Sequence, residues 1–335
     1  MIKKTEIEIM KNWAYAEPPL LSVAAITYNH EDYISEALDS MLMQKTDFPF
    51  EIIVHDDCST DNTVNILKAY AKKYPNIIKL ILQKENQYSQ GKKIVKIISE
   101  KVKGTYIAWC EGDDYWIDAG KLQTQIGLMK QNPECDMSFH PTKTRFDNDG
   151  YGEIGARHAG KNKIFTTSDV IIGGGGFCPS ASIVIRKEVW STLPSFFDDA
   201  PVGDYFVQIF GSLNGGALYI DKVMSVYRQG IATSWSSSMI DIDRRVEFYQ
   251  KIIKTLDKLD IYLDHKYKNE IAHEKSKQHY HLAVFYLYNE MFDMFKYYMQ
   301  LSYKTFNLNT MFYTIDYKLR FFPRVLLALK NLKSK

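Results

Sequence analysis

Three polar clusters hold the residue types that could do chemistry in this sequence. Glu111-Gly112-Asp113-Asp114 crowds carboxylates into a single turn. Neighbouring carboxylates repel, and a divalent cation removes that cost. Mg²⁺ or Mn²⁺ held by one or two carboxylates together with substrate phosphates is the usual arrangement in nucleotide-dependent transfer. The competing reading is a solvated acidic turn. Asp56-Asp57 repeats the theme, since a carboxylate accepts hydrogen bonds from a nucleobase imide or a ribose hydroxyl. Helix capping through Ser59 and Asp61 competes there, and it suits Asp61 better, which leaves Asp57 for a ligand. Tyr28-Asn29-His30 adds an aromatic ring and an amide.

These clusters must be positioned by the elements before them. Leu21 to Thr27 is a short apolar run, and Glu31 to Gln44 then spaces Tyr33, Ile34, Ala37, Leu38, Met41 and Leu42 as a helix does. Phe50 to Val54 reads as a second strand, followed by a helix over Val64 to Tyr74. Ile77 to Leu82 and Thr105 to Cys110 read as further strands, with a helix near Lys93 to Val102 between them. Strands alternating with helices predict βαβ units and a mostly parallel sheet. In such sheets ligands bind beyond the carboxyl ends of the strands, where all three clusters fall. Past Cys135 the alternation loosens, with strands expected at Asp136 to Thr142, Ala181 to Arg186, Ala217 to Ile220 and Val223 to Tyr227, and a helix over Gly203 to Leu213. Beyond Ile240 glycine vanishes and aromatic residues recur at helical spacing. Residues 1–19 thus form an N-terminal extension, 20–237 a catalytic domain, and 238–335 a helical region with a basic amphipathic tail.

Forty-two Lys plus Arg against forty Asp plus Glu leave a formal charge of +2, so no global field attracts nucleic acid. Composition is that of a globular protein, with 45% hydrophobic and 24% charged residues. The cysteines, Cys58, Cys110, Cys135 and Cys178, lack metal-site spacing and read as reduced thiols. The first sixteen residues lack the apolar core of a signal peptide, and no run approaches the roughly 18 apolar residues of a membrane span. The expectation is a cytoplasmic protein, whose tail of Lys318 to Lys335 reads either as a contact with the anionic inner face of the membrane or as a solvated terminal helix packed on the helical region.

Taken together, Ser22 to Asn29, the block Glu51 to Asp61 and Glu111-Gly112-Asp113-Asp114-Tyr115-Trp116 resemble family 2 glycosyltransferases in order and spacing. The resemblance covers roughly residues 20 to 230. It implies an α/β GT-A fold, Rossmann-like with helices flanking the central sheet, and a nucleotide-sugar donor. It also implies a divalent cation, Mn²⁺ or Mg²⁺, and inversion at the anomeric carbon. Carried over by position, Tyr28 borders the base, Asp57 binds its imide, Asp113 reaches ribose or metal, and Asp114 ligates the metal. Glu111 stands where the family more often has Asp, and Cys58 where Gly or Ala is usual. Gly203-Asp204-Tyr205 resembles the late acidic motif that supplies the base, with Asp198 and Asp199 as the fallback. Capping of the helix through its dipole is the other reading of Asp204.

The segment after the third strand departs from the family pattern, and only Lys92 is carried over as a nucleotide contact. Gly173 to Gly176 lacks the Lys-Ser/Thr of a phosphate-binding loop and reads as a flexible turn. Arg228 and Trp235 follow the last expected strand, where a lid or a diphosphate contact would lie. His279 and His281 point to different helix faces and make no metal pair.

The expected function is metal-dependent, inverting transfer of a sugar from a nucleoside diphosphate, with UDP-sugars the default. The acceptor is a hydroxyl of a glycan or lipid-linked molecule in cell-surface polysaccharide synthesis. The rival readings are a nucleotide-sugar-forming nucleotidyltransferase and a non-catalytic sugar-binding protein on the same fold. The helical region offers surface for a homo-oligomer.

Overall fold

A computed structural model describes residues 2–15, 17–146, 150–231, 239 and 241–333. The chain divides into two compact units, Met1–Asp198 with Val202–Ser237, and Asp199–Pro201 with Ser238–Lys335.

The first unit opens with helix α1 (Glu6–Met10), closed at its start by a reciprocal capping box between Thr5 and Glu8. The expected extension is docked here. Ile9 is buried in the core, Trp13 packs edge-on against Phe50 at 5.5 Å, and the Glu6 carboxylate accepts the Asn76 and Ile77 N–H groups. Then come β1 (Leu21–Thr27), α2 (Ile34–Leu42), β2 (Phe50–Asp56), α3 (Thr63–Lys73), β3 (Ile78–Leu82), α4 (Ile94–Ser99) and β4 (Tyr106–Trp109). β1 pairs in parallel with β2 and β4, and β2 with β3. Both β1 and β2 are almost wholly buried, as strands covered on two faces must be, which is why they read as unbroken apolar runs.

The second half of the unit holds β5 (Tyr115–Trp116), α5 (Lys121–Gln131), β6 (Met137–Phe139), β7 (Thr142–Phe146), β8 (Gly150–Gly155), β9 (Lys163–Phe165), α6 (Thr167–Gly173), β10 (Val184–Arg186), α7 (Lys187–Ser191), α8 (Asp204–Ser212), β11 (Ala217–Tyr219) and β12 (Ser225–Gln229). Among the described residues an eight-stranded sheet runs β3-β2-β1-β4-β10-β6-β11-β9, and a four-stranded sheet runs β5-β12-β7-β8. β10 enters antiparallel between β4 and β6, whereas β11 is parallel to β6. The architecture is the expected α/β GT-A fold, with helices flanking a large central sheet. One expectation is corrected: Asp136 to Thr142 is not a single strand. Pro141 has no N–H to donate, and the chain leaves the large sheet after Phe139 and enters the small one at Thr142.

The second unit is helical: α9 (Ile242–Tyr262), α10 (Lys268–Tyr288), α11 (Phe292–Thr305), α12 (Met311–Lys318) and α13 (Pro323–Lys333). The aromatic stripe of α10 and α11 forms its core, with Phe285, Tyr286, Phe295 and Tyr298 packed around Leu282 and Met299. Ser276 and Ser302 join the two helices through a buried hydroxyl pair at 2.9 Å. No helix among the described residues is long and apolar enough to cross a membrane.

Gly104 shows how tightly the sheet is closed. A Cβ there would lie 2.5 Å from the backbone nitrogen of Ser22, while Gly127, inside α5, has nothing within 4 Å of the same position. Gly104→Ala should therefore lose about 1–3 kcal/mol of stability through overpacking. Gly127→Ala should gain roughly 1 kcal/mol through helix propensity. Urea unfolding of the two variants checks the opposite signs.

Candidate active site

The strand ends converge because β1, β2 and β4 run in parallel: β1 and β2 stop together at Thr27 and Asp56, and β4 stops at Trp109 opposite Ala24, from where the chain follows β1 until the Gly112 N–H reaches the Ile26 carbonyl. The turns after β1 and β2 are then laced together. Asn29 takes a left-handed φ of 53°, its side-chain oxygen accepts the Thr60 N–H at 2.8 Å, and its own N–H donates to the Ser59 hydroxyl at 2.9 Å. The His30 N–H donates to Thr63 Oγ1, the Glu31 N–H to Asp61, and the Asn62 N–H to Glu31. Asp61 also accepts the Thr63 N–H at the head of α3. Cys58 sits at φ 69°, a left-handed conformation that glycine adopts without cost.

Asp57 is buried, and its carboxylate accepts the backbone N–H groups of Gln87 at 2.8 Å and Tyr88 at 3.0 Å. It therefore shapes the loop after β3. Lys92 reaches back into the same loop, donating from Nζ to the Gln87 side-chain oxygen at 2.6 Å. Tyr28, at the end of β1, leaves its ring half exposed above this edge.

The acidic turn follows β4. Gly112 is needed there: a Cβ would meet Thr27 Oγ1 at 2.9 Å and His30 Nδ1 at 3.0 Å. Asp113 lies 3.9 Å from His30 Nε2 and retains slight exposure, 8%. Asp114 is fully enclosed, and Oδ1 accepts the backbone N–H of Arg228 at 2.9 Å. Burial pushes the Asp114 carboxyl well up, helped by the negative charges of Asp113 and Glu111. Burial likewise raises Glu111 to about 8, with Asp113 and Asp204 adding to it and a hydrogen bond from Trp109 opposing it. The Trp109 ring is itself fixed by stacking on Trp190 at 5.3 Å.

Asp204 heads α8 and is open to water, yet enough protein surrounds it that desolvation raises its carboxyl. Its Oδ1 accepts the N–H of Tyr205. The fallback carboxylates are engaged elsewhere, Asp198 with Lys96 at 2.6 Å and Asp199 with Lys258 at 2.6 Å. Arg228 is placed beneath the acidic turn. Only 4% exposed, it donates to the Asp113 carbonyl and to Glu36, and lies 5.1 Å from the Tyr33 ring and 4.5 Å from that of Tyr115. Its guanidinium clamps the acidic turn. Trp235 lies outside the described residues. Glu36 and Tyr33, which sequence reasoning missed as site residues, complete this clamp, and only the long-range fold brings them to it.

Among the described residues no group of three or more His, Cys, Asp or Glu side chains forms a complete metal cage. The donor chemistry fits an ion of another kind, one completed by phosphates: hard carboxylate oxygens in a turn with surplus negative charge.

Two consequences can be measured. Arg228→Ala should lower stability by about 2–3 kcal/mol, since charged hydrogen bonds and two ring contacts are lost together. Glu111, held above its unfolded value, binds a proton in the folded state that the unfolded chain releases. Stability of the ligand-free protein should accordingly fall as pH rises from about 4.5 to about 8. Glu111→Gln should flatten that part of the profile, and a slope retained in full would reject the assignment.

The family model described as glycosyl transferase family 2 matches residues 22–192. An uncharacterized protein of Mycobacterium tuberculosis is 31% identical over 268 residues, which cover 76% of this chain and 72% of the relative. The structure of residues 1–349 of Staphylococcus aureus TarS with UDP-GlcNAc superposes with a TM-score of 0.62 at 18% identity, covering 85% of this chain and 81% of that one. A mannosyltransferase from Pyrobaculum calidifontis, in complex with GDP-Man and Mn²⁺, gives 0.53 at 15% identity, covering 98% and 94%.

Proposed function

The chain belongs to glycosyl transferase family 2 and is a glycosyltransferase, and from that premise we propose that it moves a sugar from a UDP-sugar, with inversion, to a hydroxyl of a glycan or lipid-linked acceptor. Its setting would be cell-surface polysaccharide synthesis on the cytoplasmic side. The observation that carries this reading is the acidic turn at the end of β4, with Asp204 near enough to raise Glu111.

In this reading Tyr28 covers the base, while Asp57 and Lys92 hold the loop from Gln83 to Lys92 in the shape that receives it. Asp113 is less enclosed than Asp114, so of the two carboxylates expected to hold the ion Asp113 would do so more directly, while Asp114 also anchors the turn to β12. A bound Mn²⁺ or Mg²⁺ would neutralise the departing diphosphate. The P. calidifontis neighbour with Mn²⁺ makes this the natural choice. Asp204 accepts the proton of the acceptor hydroxyl as it attacks the anomeric carbon, and its raised carboxyl is closer to the basicity this task needs. Water-exposed at the start of α8, it can meet an acceptor arriving from solvent.

Asp204→Asn should cut transfer by about 10²–10⁴ while leaving UDP binding by calorimetry unchanged. Because the base works only when deprotonated, the wild-type rate should fall as pH drops through the raised pKa of this carboxyl, and the variant should lack that limb. Near-wild-type turnover in Asp204→Asn would move the base elsewhere. A second test concerns the ion. Asp113→Ala or chelation should abolish the metal-dependent part of UDP binding, and UDP binding that ignores both would reject the donor-site reading.

A further inference from the structure

The second unit carries an apolar surface that its own core does not use. A groove of about 690 Å³ lies between the start of α11 and the start of α13, lined by Met291, Phe292, Phe321, Phe322 and Val325 among others. Phe321 and Phe322 are 64% and 63% exposed, Val325 54% and Met291 45%. Water-exposed aromatic rings grouped around one concavity are unusual on a soluble monomer and mark an interaction surface. On α13, Val325 and Leu329 are four residues apart and share one exposed stripe, with Phe321 and Phe322 exposed just before the helix, whereas Leu326 turns inward to the core.

Charge selects the occupant. From Lys318 to Lys333 the sequence carries Lys318, Arg320, Arg324, Lys330 and Lys333 and no acid. Lys330 is neutralised by the buried Asp316 at 2.8 Å, but Lys318, Arg320 and Arg324 have no ion-pair partner among the described residues. Arg320 lies over the Tyr317 and Phe321 rings at 3.8 and 4.3 Å, so its charge sits at the edge of the apolar stripe. The opposite lip holds Glu290 and Asp293, the latter paired with Lys296 at 3.4 Å. Exposed aromatic rings beside unopposed cations match the boundary between acyl chains and anionic headgroups.

We propose that this face of the second unit docks on an anionic lipid surface, with Phe321, Phe322, Val325 and Leu329 entering the headgroup boundary and Lys318, Arg320 and Arg324 meeting the lipid charges. The inference stands on the second unit alone and is independent of donor and acceptor. The full chain is sedimented with vesicles of phosphatidylcholine, and with vesicles that also contain phosphatidylglycerol. Binding to the anionic vesicles is expected, weakened by salt, with little binding to the neutral ones. Arg320→Glu with Arg324→Glu, and separately Phe321→Ser with Phe322→Ser, should each reduce it by about tenfold or more. All these residues are solvent-exposed or at the rim, and an unchanged melting temperature with unchanged UDP binding identifies variants that fold. A Val325→Trp reporter should shift its emission to the blue on adding anionic vesicles. No binding to anionic vesicles, or binding that both double variants retain, overturns the proposal. So does a dimer in light scattering that the Phe variants dissociate, since a second copy would then be the occupant.

Discussion

Carboxylates do not gather in a dry turn without opposing forces, and the first unit is organised around meeting that condition. Glu111, Asp113 and Asp114 stand at the end of a buried strand, where the Asp113 charge raises the cost of ionising both Glu111 and Asp114. Arg228 brings a full positive charge beneath the turn, from a strand more than a hundred residues away, and its backbone N–H serves Asp114 as well. Gly112 lets the turn press against Thr27 and His30 with no side chain between them. The small sheet exists in part to deliver these groups, since β12 carries Arg228 and pairs with β5, the two residues after the turn. Removing the charge problem would remove the reason for much of this packing.

The turns after β1 and β2 solve a different problem, the accuracy of a site built on loops. Each donates to and accepts from the other, so the strand ends are held by hydrogen bonds across the gap and not only by the sheet behind them. Asp57 extends the same device to a third strand end through two backbone N–H groups. Much of what reads in sequence as ligand-binding polarity is positioning; at the strand ends the Tyr28 ring and Asp204 are exposed, Glu111 is partly exposed, and Asp113 keeps only 8%. A site held this way requires little reorganisation when its ligands arrive.

The legible parts of the fold were those whose signal is local. β1, β2 and β4 are continuous apolar runs between polar turns, and their helices carry clear periodicity, so both the elements and their shared edge followed from the residues alone. The small sheet was hidden because β5 spans two residues and β8 is largely exposed, with no alternation to detect. The helices α5, α6 and α7 passed unread in the less regular half. Arg228 was seen as a candidate, but its partners Glu36 and the Asp113 carbonyl were not, because they are separated from it by 192 and 115 positions. Short-range pattern reveals which residues can do chemistry, while long-range packing decides which of them remain available for it.

Glu111 illustrates the difference that remains after pattern and packing are combined. A shorter acid at this position would sit back from α8, whereas the longer side chain takes a hydrogen bond from Trp109 and feels both Asp113 and Asp204. It thus feels both the acidic turn and the carboxylate at the head of α8. With this carboxyl raised to about 8, the turn carries less negative charge at neutral pH than its residue types suggest. A positive charge entering beside Asp113 would lower the cost of ionising Glu111, so protonation of the turn and arrival of a cation are linked through this side chain.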